Sequence, residues 1–279
     1  MSETPGQANL VGLLDWYRSV GVDEAVGEAA TDWLARGERA PGADFSFRYR
    51  PQQVPTGDVA KAEPGLPRPV RRFPTASPDA ALSQARLAAR SAESLEALGA
   101  ALARYEGCAL KATAKNLCFF RGAQKARLML IGEAPGREED LEGRPFVGRA
   151  GQLLDKMLAA IGLGETDVHI TNIVYWRPPG NRTPTPQEAL VCRPFLERQI
   201  ELVGPEFIVL LGGAAAKHVL EVTDGIMRLR GRWRQVEIGS RSVKAIATLH
   251  PAYLLRTPAH KRLAWRDLLS VREALDAEL

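Results

Sequence analysis

The sequence predicts an α/β fold: a three-layer α/β/α sandwich around a four-stranded parallel sheet, with a helical N-terminal extension. Two observations carry that expectation. Four short apolar runs, RLMLIG (127–132), VHITNIV (168–174), EFIVLLG (206–212) and VKAIATL (243–249), have strand length and end in loops rich in glycine, proline or polar residues. Helical spacing fills the gaps between the first three runs. Strands alternating with helices form βαβ units, and these build a parallel sheet covered on both faces.

Taken in order, residues 9–36 read as two short amphipathic helices. Residues 37–78 hold proline, glycine and charge with little apolar content, so they are expected to form a disordered linker. A catalytic-size domain then spans 79–279. It opens with one leading helix over 79–106, on which Leu82, Leu87, Leu95, Leu98 and Leu102 recur, and continues as an α/β core over 107–279. Within that core, Leu153, Leu154, Met157, Leu158 and Ile161 line one face of a helix over 150–161. Thr185 and Glu188 form a capping box around Pro186 at the head of a helix running to about 203. Shorter helices are expected over 213–221 and 260–277.

Composition narrows the function classes. The chain has 279 residues and a formal charge of +4, a mildly basic balance that suits a polyanionic partner. No secretory signal is visible in MSETPGQANL, and the longest apolar run, 207–216, is too short to cross a bilayer. Three cysteines make no disulfide framework. A cytoplasmic location away from membranes is the expectation.

In such folds ligands bind beyond the carboxyl ends of the strands. That rule selects three loops. The first, GEAPGREEDLEGRPFVGRA (132–150), matches neither phosphate-binding glycine pattern, and its carboxylates would repel phosphate. Glu138, Asp140 and Glu142 read as a solvated acidic turn near a helix start. Glu133 sits directly at the strand end, and Phe146 between glycines is either a core plug or a stacking platform. The second loop puts Asn172 at a strand end, ahead of prolines that stiffen a basic segment. An amide presents a donor and an acceptor side by side, as reading a nucleobase edge requires. The third, LHPAYLLR, places His250 at a strand end before a rigid turn, where a group titrating near neutrality suits catalysis. Between 226 and 266 ten basic residues face one acid, Glu237, which suggests a phosphate-backbone footprint.

GEAPGREEDLEGRPFVGRAGQLLD, TNIVYWRPPGNRTPTPQE and HPAYLLR, in this order and on these elements, resemble the uracil-DNA glycosylase superfamily, most closely its family-four branch. The likeness spans about 107–277. It implies hydrolysis of uracil from DNA after flipping of the base, leaving an abasic site. It also implies a monomer whose partner is uracil-containing DNA. Carried residue by residue, it makes Glu133 and His250 catalytic, the first orienting water and the second stabilising charge at uracil O2. Ala134 lines the pocket floor, Glu139 the wall near C5, Phe146 stacks on the base and Asn172 reads N3–H and O4. Arg182, Tyr253, Leu254 and Arg256 would contact DNA, Leu254 filling the gap left in the duplex. Members of this branch carry four cysteines that ligate a [4Fe–4S] cluster. The corresponding positions here are Cys108, Lys111, Trp176 and Cys192. Two thiolates are too few, so no intact cluster is expected, Cys108 and Cys192 being remnants, with Trp176 packed into the space. A non-catalytic DNA- or uracil-binding module and a small-nucleoside hydrolase are the competing readings.

Overall fold

The computed structural model describes residues 77–277. The helices expected over 9–36 and the linker expected over 37–78, apart from its last two residues, lie outside that range. No helix among the described residues is long and apolar enough to cross a membrane.

The leading helix is two helices, α1 (Pro78–Arg90) and α2 (Leu95–Arg104). Serine chemistry breaks it. Ser91 closes α1, and the Ser94 hydroxyl accepts a hydrogen bond from Ala97 N–H at 3.1 Å to start α2. The buried face of α1 is Ala81, Ala85 and Ala89, while Leu87 points into solvent at 74% exposure. Small residues let α1 lie close against α5 (Pro186–Val203), so alanine rather than leucine marks the core side here.

The sheet has six strands rather than four. β3 (Val168–Asn172), β2 (Leu128–Gly132), β4 (Phe207–Leu211) and β6 (Arg241–Thr248) are parallel neighbours in that order, and they correspond to the four apolar runs. Short antiparallel edges flank them: β1 (Arg121–Gly122) beside β3, and β5 (Trp233–Ile238) beside β6. β5 alternates half-buried and exposed residues, as an edge strand does, so it lacked the continuous apolar run that exposed the central strands. Helix α3 (Arg137–Glu142), also unexpected, interrupts the first loop and precedes α4 (Arg149–Ala159). Then come α5, α6 (Gly213–Leu220), α7 (Ile226–Leu229), α8 (Pro251–Arg256) and α9 (Lys261–Ala277). The capping box at α5 forms: Glu188 N–H reaches Thr185 Oγ1 at 3.2 Å, and Thr185 N–H reaches Glu188 Oε2 at 2.8 Å.

Two apolar clusters sandwich the sheet. One holds Leu98, Leu102, Met129, Ile131, Tyr175, Phe195 and their neighbours, under α1, α2 and α5. The other holds Leu130, Leu154, Leu158, Ile170, Val209 and Val271, under α4 and α9.

Candidate active site

Because β2, β3 and β6 run parallel, Glu133, Asn172 and His250 all emerge at one edge of the sheet. β4 lies between β2 and β6, and its exit is Gly212–Gly213, which puts no side chain into the space between them. Gly212 adopts φ +92°, and a Cβ there would meet the His250 Cβ at 3.0 Å. His250 therefore lies across the end of β4. From the other side comes Phe146, whose ring centroid stands 5.7 Å from that of His250 with the planes 29° apart. A Cβ on Gly132 would fall 2.4 Å from both Phe146 Cζ and Asn172 Oδ1. Glycine at 132 is what allows the aromatic face and the amide to meet.

Phe146 holds φ +56°, a left-handed conformation costly for an aromatic residue, and is 5% exposed. The strain is enforced by close packing. A Cβ on Gly151 would overlap the Phe146 carbonyl, so the chain passes there with no room to relax. Asn172 is 1% exposed, and its Oδ1 has no hydrogen-bond partner. A buried carbonyl oxygen left unpaired costs about 1–3 kcal/mol, and native interiors rarely tolerate one without a use.

His250 caps α8, its Nδ1 accepting from Ala252 N–H at 3.1 Å. Nδ1 is thus the acceptor, and the ring proton sits on Nε2, aimed away from the helix. Part of the residue reaches solvent, but the ring is crowded, and burial followed by the nearby Arg256 charge pushes its pKa down to about 4. It is a neutral N–H donor at physiological pH.

Glu139 is buried and fully engaged: Gly136 N–H donates to Oε2 at 3.0 Å and Gly148 N–H to Oε1 at 2.9 Å. One carboxylate thereby joins the N-caps of α3 and α4 and fixes the loop bearing Phe146. Asp140 departs from the solvated turn expected of it. It is 3% exposed and accepts from Lys115 N–H at 2.7 Å and Asn116 N–H at 3.2 Å, with Arg177 of the second loop 4.0 Å away. Backbone N–H groups 24–25 residues distant left no trace in local sequence. Glu133 and Ala134 are half-buried at the end of β2, and Glu133 has no hydrogen-bond partner among the described residues.

Two of the residues expected to touch DNA are placed otherwise. Leu254 is 1% exposed and packs with Leu249 and Ala264, whereas Leu255, one helical step round, is 37% exposed. A side chain buried in the core cannot enter a duplex, so the apolar tip of α8 is Leu255. Arg182 is held in a fork with Glu188 at 2.6 and 2.8 Å, which neutralises its charge and turns two of its five N–H donors toward the carboxylate. Tyr253 is half-buried, its hydroxyl bonded to His260 Nδ1 at 2.7 Å. Arg256 is exposed and has no ion-pair partner among the described residues.

The basic run 226–266 also divides. Arg230 is half-buried against the buried Asp267, which additionally accepts from Thr248 at 2.6 Å. Arg241 and Lys244 start β6 at the far end of the sheet. Arg228, Arg232, Arg256, Lys261, Arg262 and Arg266 remain exposed on segments flanking the strand ends. Chain proximity had merged two surfaces that the β5–β6 hairpin separates.

The positions matching cluster ligands present a poor donor set. Cys108 and Cys192 are buried with sulfurs 3.9 Å apart. Trp176 is 2% exposed in the same apolar cluster, and Lys111 turns outward to Ala103 O, Tyr105 O and Glu106. Cys118 gives its S–H to Glu139 O at 3.1 Å. Among the described residues no group of three or more His, Cys, Asp or Glu is arranged to hold a metal ion. Two thiols, an indole and an ammonium do not fit a four-thiolate cluster.

Comparison with known proteins agrees with this site. The family model for the uracil DNA glycosylase superfamily matches residues 119–269. A type-4 uracil-DNA glycosylase of Archaeoglobus fulgidus is 44% identical over 170 residues, covering 60% of this chain and 85% of that protein. One from Thermotoga maritima is 37% identical over 192 residues, 67% of this chain and 97% of that protein. A type-5 uracil-DNA glycosylase of Mycobacterium bovis is 33% identical over 151 residues, covering 47% and 56%. The matched region holds β2, β3 and β6 with Glu133, Asn172 and His250. The chain belongs to the uracil-DNA glycosylase superfamily, on its family-four branch, and is an enzyme that hydrolyses N-glycosyl bonds.

Proposed function

We propose that the protein removes uracil from DNA by flipping the nucleotide into the space bounded by Phe146, Asn172 and His250 and hydrolysing its N1–C1′ bond. The observation that carries this reading is the unpaired Oδ1 of Asn172, buried across Gly132 from the Phe146 ring, which in turn stacks beside His250. Uracil supplies what that oxygen lacks, an N3–H donor, and its O4 can accept from the same amide. Cytosine has an acceptor at N3 and would leave the oxygen unpaired, a difference worth orders of magnitude in selectivity.

Bond cleavage leaves electrons on the base, concentrated at O2 and N1. The Nε2–H of His250 is aimed where that charge develops, and one such donor is typically worth about 3 kcal/mol of barrier. Because the ring stays neutral, it acts as a hydrogen-bond donor and not as an acid. Phe146 holds the ring plane, and Glu139 fixes the wall without contributing a free oxygen. That leaves Glu133 to orient water at C1′. The small side chain of Ala134 would leave room for other deaminated bases, and the enzyme works as a cytoplasmic monomer without an iron–sulfur cluster. The exposed arginines near the strand ends hold the DNA backbone, with Leu255 at the tip of α8 entering the duplex.

The test is an alkali-cleavage assay on single-lesion oligonucleotides. Uracil strands are expected to be nicked, and His250→Ala is expected to lower the single-turnover rate by about 100-fold with DNA affinity retained. Absence of abasic product at any enzyme concentration would instead favour a binding module.

A further inference from the structure

Three chain segments converge around the two facing thiols. Cys108, Leu110, Tyr175, Trp176 and Cys192 share one buried cluster, and Lys111 N–H bonds to the Cys108 carbonyl at 3.1 Å. Cys192 donates its S–H to Cys108, which lowers the Cys108 pKa and raises that of its partner. The segments are thus drawn together as four thiolates would draw them, with only two sulfurs present. Trp176 sits four residues past Asn172, 2% exposed, its ring edge-on to Tyr175 with centroids 6.4 Å apart. Lys111 reaches Ala103 O at 2.7 Å, Tyr105 O at 3.1 Å and the Glu106 carboxylate at 2.5 Å, closing the last turn of α2. A lysine ammonium there satisfies carbonyls that a helix end leaves unpaired.

We infer that Trp176 and Lys111 have taken over the tethering that a metal cluster performs in the branch, Trp176 as the plug that positions the Asn172 loop and Lys111 as the clasp on α2. The inference rests on the cluster-free reading above and adds two positioning residues to it. Neither touches substrate. Trp176 acts through the 173–176 backbone, and Lys111 acts through the turn that carries Cys108. The backbone placement is also that of a ligand set: 108 and 111 lie three residues apart at the 3₁₀ turn Ala109–Ala112, where such positions share a face, and Trp176 packs in the same buried cluster as Cys108 and Cys192, so thiols restored at 111 and 176 are expected to come within reach of both.

The experiment uses the full chain. Wild-type protein grown with ample iron is expected to contain no stoichiometric iron and to be fully active. Lys111→Met is expected to lower the Tm by a few degrees, because three hydrogen bonds go while the aliphatic stem stays. Trp176→Ala is expected to lower the uracil-excision rate at least 10-fold, with Trp176→Phe close to wild type. The double variant K111C/W176C, treated anaerobically with iron and sulfide, is expected to bind about four iron atoms, absorb broadly at about 400 nm and regain thermal stability. Cys108→Ser in that background should abolish all three signals, which ordinary packing would not explain. Iron in the wild type overturns the cluster-free reading and the inference with it. A folded K111C/W176C chain that takes up no iron, or an unchanged Tm in Lys111→Met, overturns the inference alone.

Discussion

Strand β3 buries three polar side chains, His169, Thr171 and Asn172, and the surroundings of the first and last could hardly differ more. His169 Nδ1–H donates to Ala123 O at 2.7 Å, and its Nε2 accepts from Gln199 at 2.9 Å. Gln199 Oε1 in turn accepts from the Tyr175 hydroxyl at 2.9 Å. Every partner in that chain is protein. Asn172 offers the same amide chemistry as Gln199, yet its oxygen meets nothing. His250 repeats the contrast with His169: both rings are held at about 4 by burial, but His250 spends one nitrogen on a helix cap and leaves the other without a protein partner among the described residues. Arg121 Nε and His218 Nε2 are the other buried polar side-chain atoms without a partner among the described residues, but only the Asn172 oxygen stands at a strand end beside Phe146.

That contrast is breakable by paired substitutions, and they carry the largest expected effect. Asn172→Ala should abolish measurable uracil excision while leaving the Tm within a few degrees of wild type, because the oxygen removed had no partner to lose. Gln199→Ala should do the reverse, costing about 2–3 kcal/mol by orphaning His169 Nε2 and the Tyr175 hydroxyl, with kcat retained below the unfolding transition. Urea unfolding and single-turnover rates on both variants decide it. Equal stability losses would erase the distinction.

Acid titration separates the two roles again, with a smaller effect. His169, His218 and His250 all have pKa values depressed from 6.5 to about 4, chiefly by burial. The unfolded chain binds protons on these rings at about 6.5, and the folded chain does so only near 4. Stability is therefore complete above about pH 6.5, falls as pH drops through the window, and levels off below 4. Catalysis should not follow. His250 stays neutral, so kcat/KM measured well below the Tm should remain flat from pH 8 to 5 while the Tm declines. An acid limb near pH 6.5 that disappears in His250→Ala would show the ring to be charged in the working enzyme.

Neighbours on α8 give the third test. Leu254→Ala should cost about 2–4 kcal/mol, as expected for a buried leucine. Leu255→Ala should leave stability unchanged and slow excision from duplex DNA several-fold, with single-stranded substrate unaffected. The opposite assignment would return the intercalating role to Leu254.

What the sequence made legible follows the same division. Central strands announced themselves because residues buried on both faces must be apolar throughout, and Thr185–Pro186–Glu188 announced α5 because capping is local chemistry. Edge strands β1 and β5, half exposed, had no such signature. Asn172 and His250 were singled out because strand ends in a parallel sheet concentrate chemistry, and Phe146 because it stands between glycines. Asp140 was misread because its partners, Lys115 N–H and Asn116 N–H, are set by tertiary approach and not by residue type, and the Arg182–Glu188 fork left no local signal either.

Arg182 and Arg256 carry the smallest expected effect and the sharpest form of the comparison, being equal in charge and unlike in partners. Arg182 is neutralised by Glu188, whose own pKa is lowered by that guanidinium, so its loss removes little net charge from the DNA-facing side. Arg256, at the end of α8, has no ion-pair partner among the described residues, and a phosphate held there would release one counterion. Arg256→Ala should therefore flatten the slope of log Kd against log salt by about one, with a several-fold loss of affinity. Arg182→Ala should leave that slope in place and cost at most about 1 kcal/mol of stability, since the pair is partly exposed. Titrations at three salt concentrations distinguish the two. A slope change in Arg182→Ala would mean that DNA displaces Glu188, and that the fork opens on binding instead of merely bracing the loop.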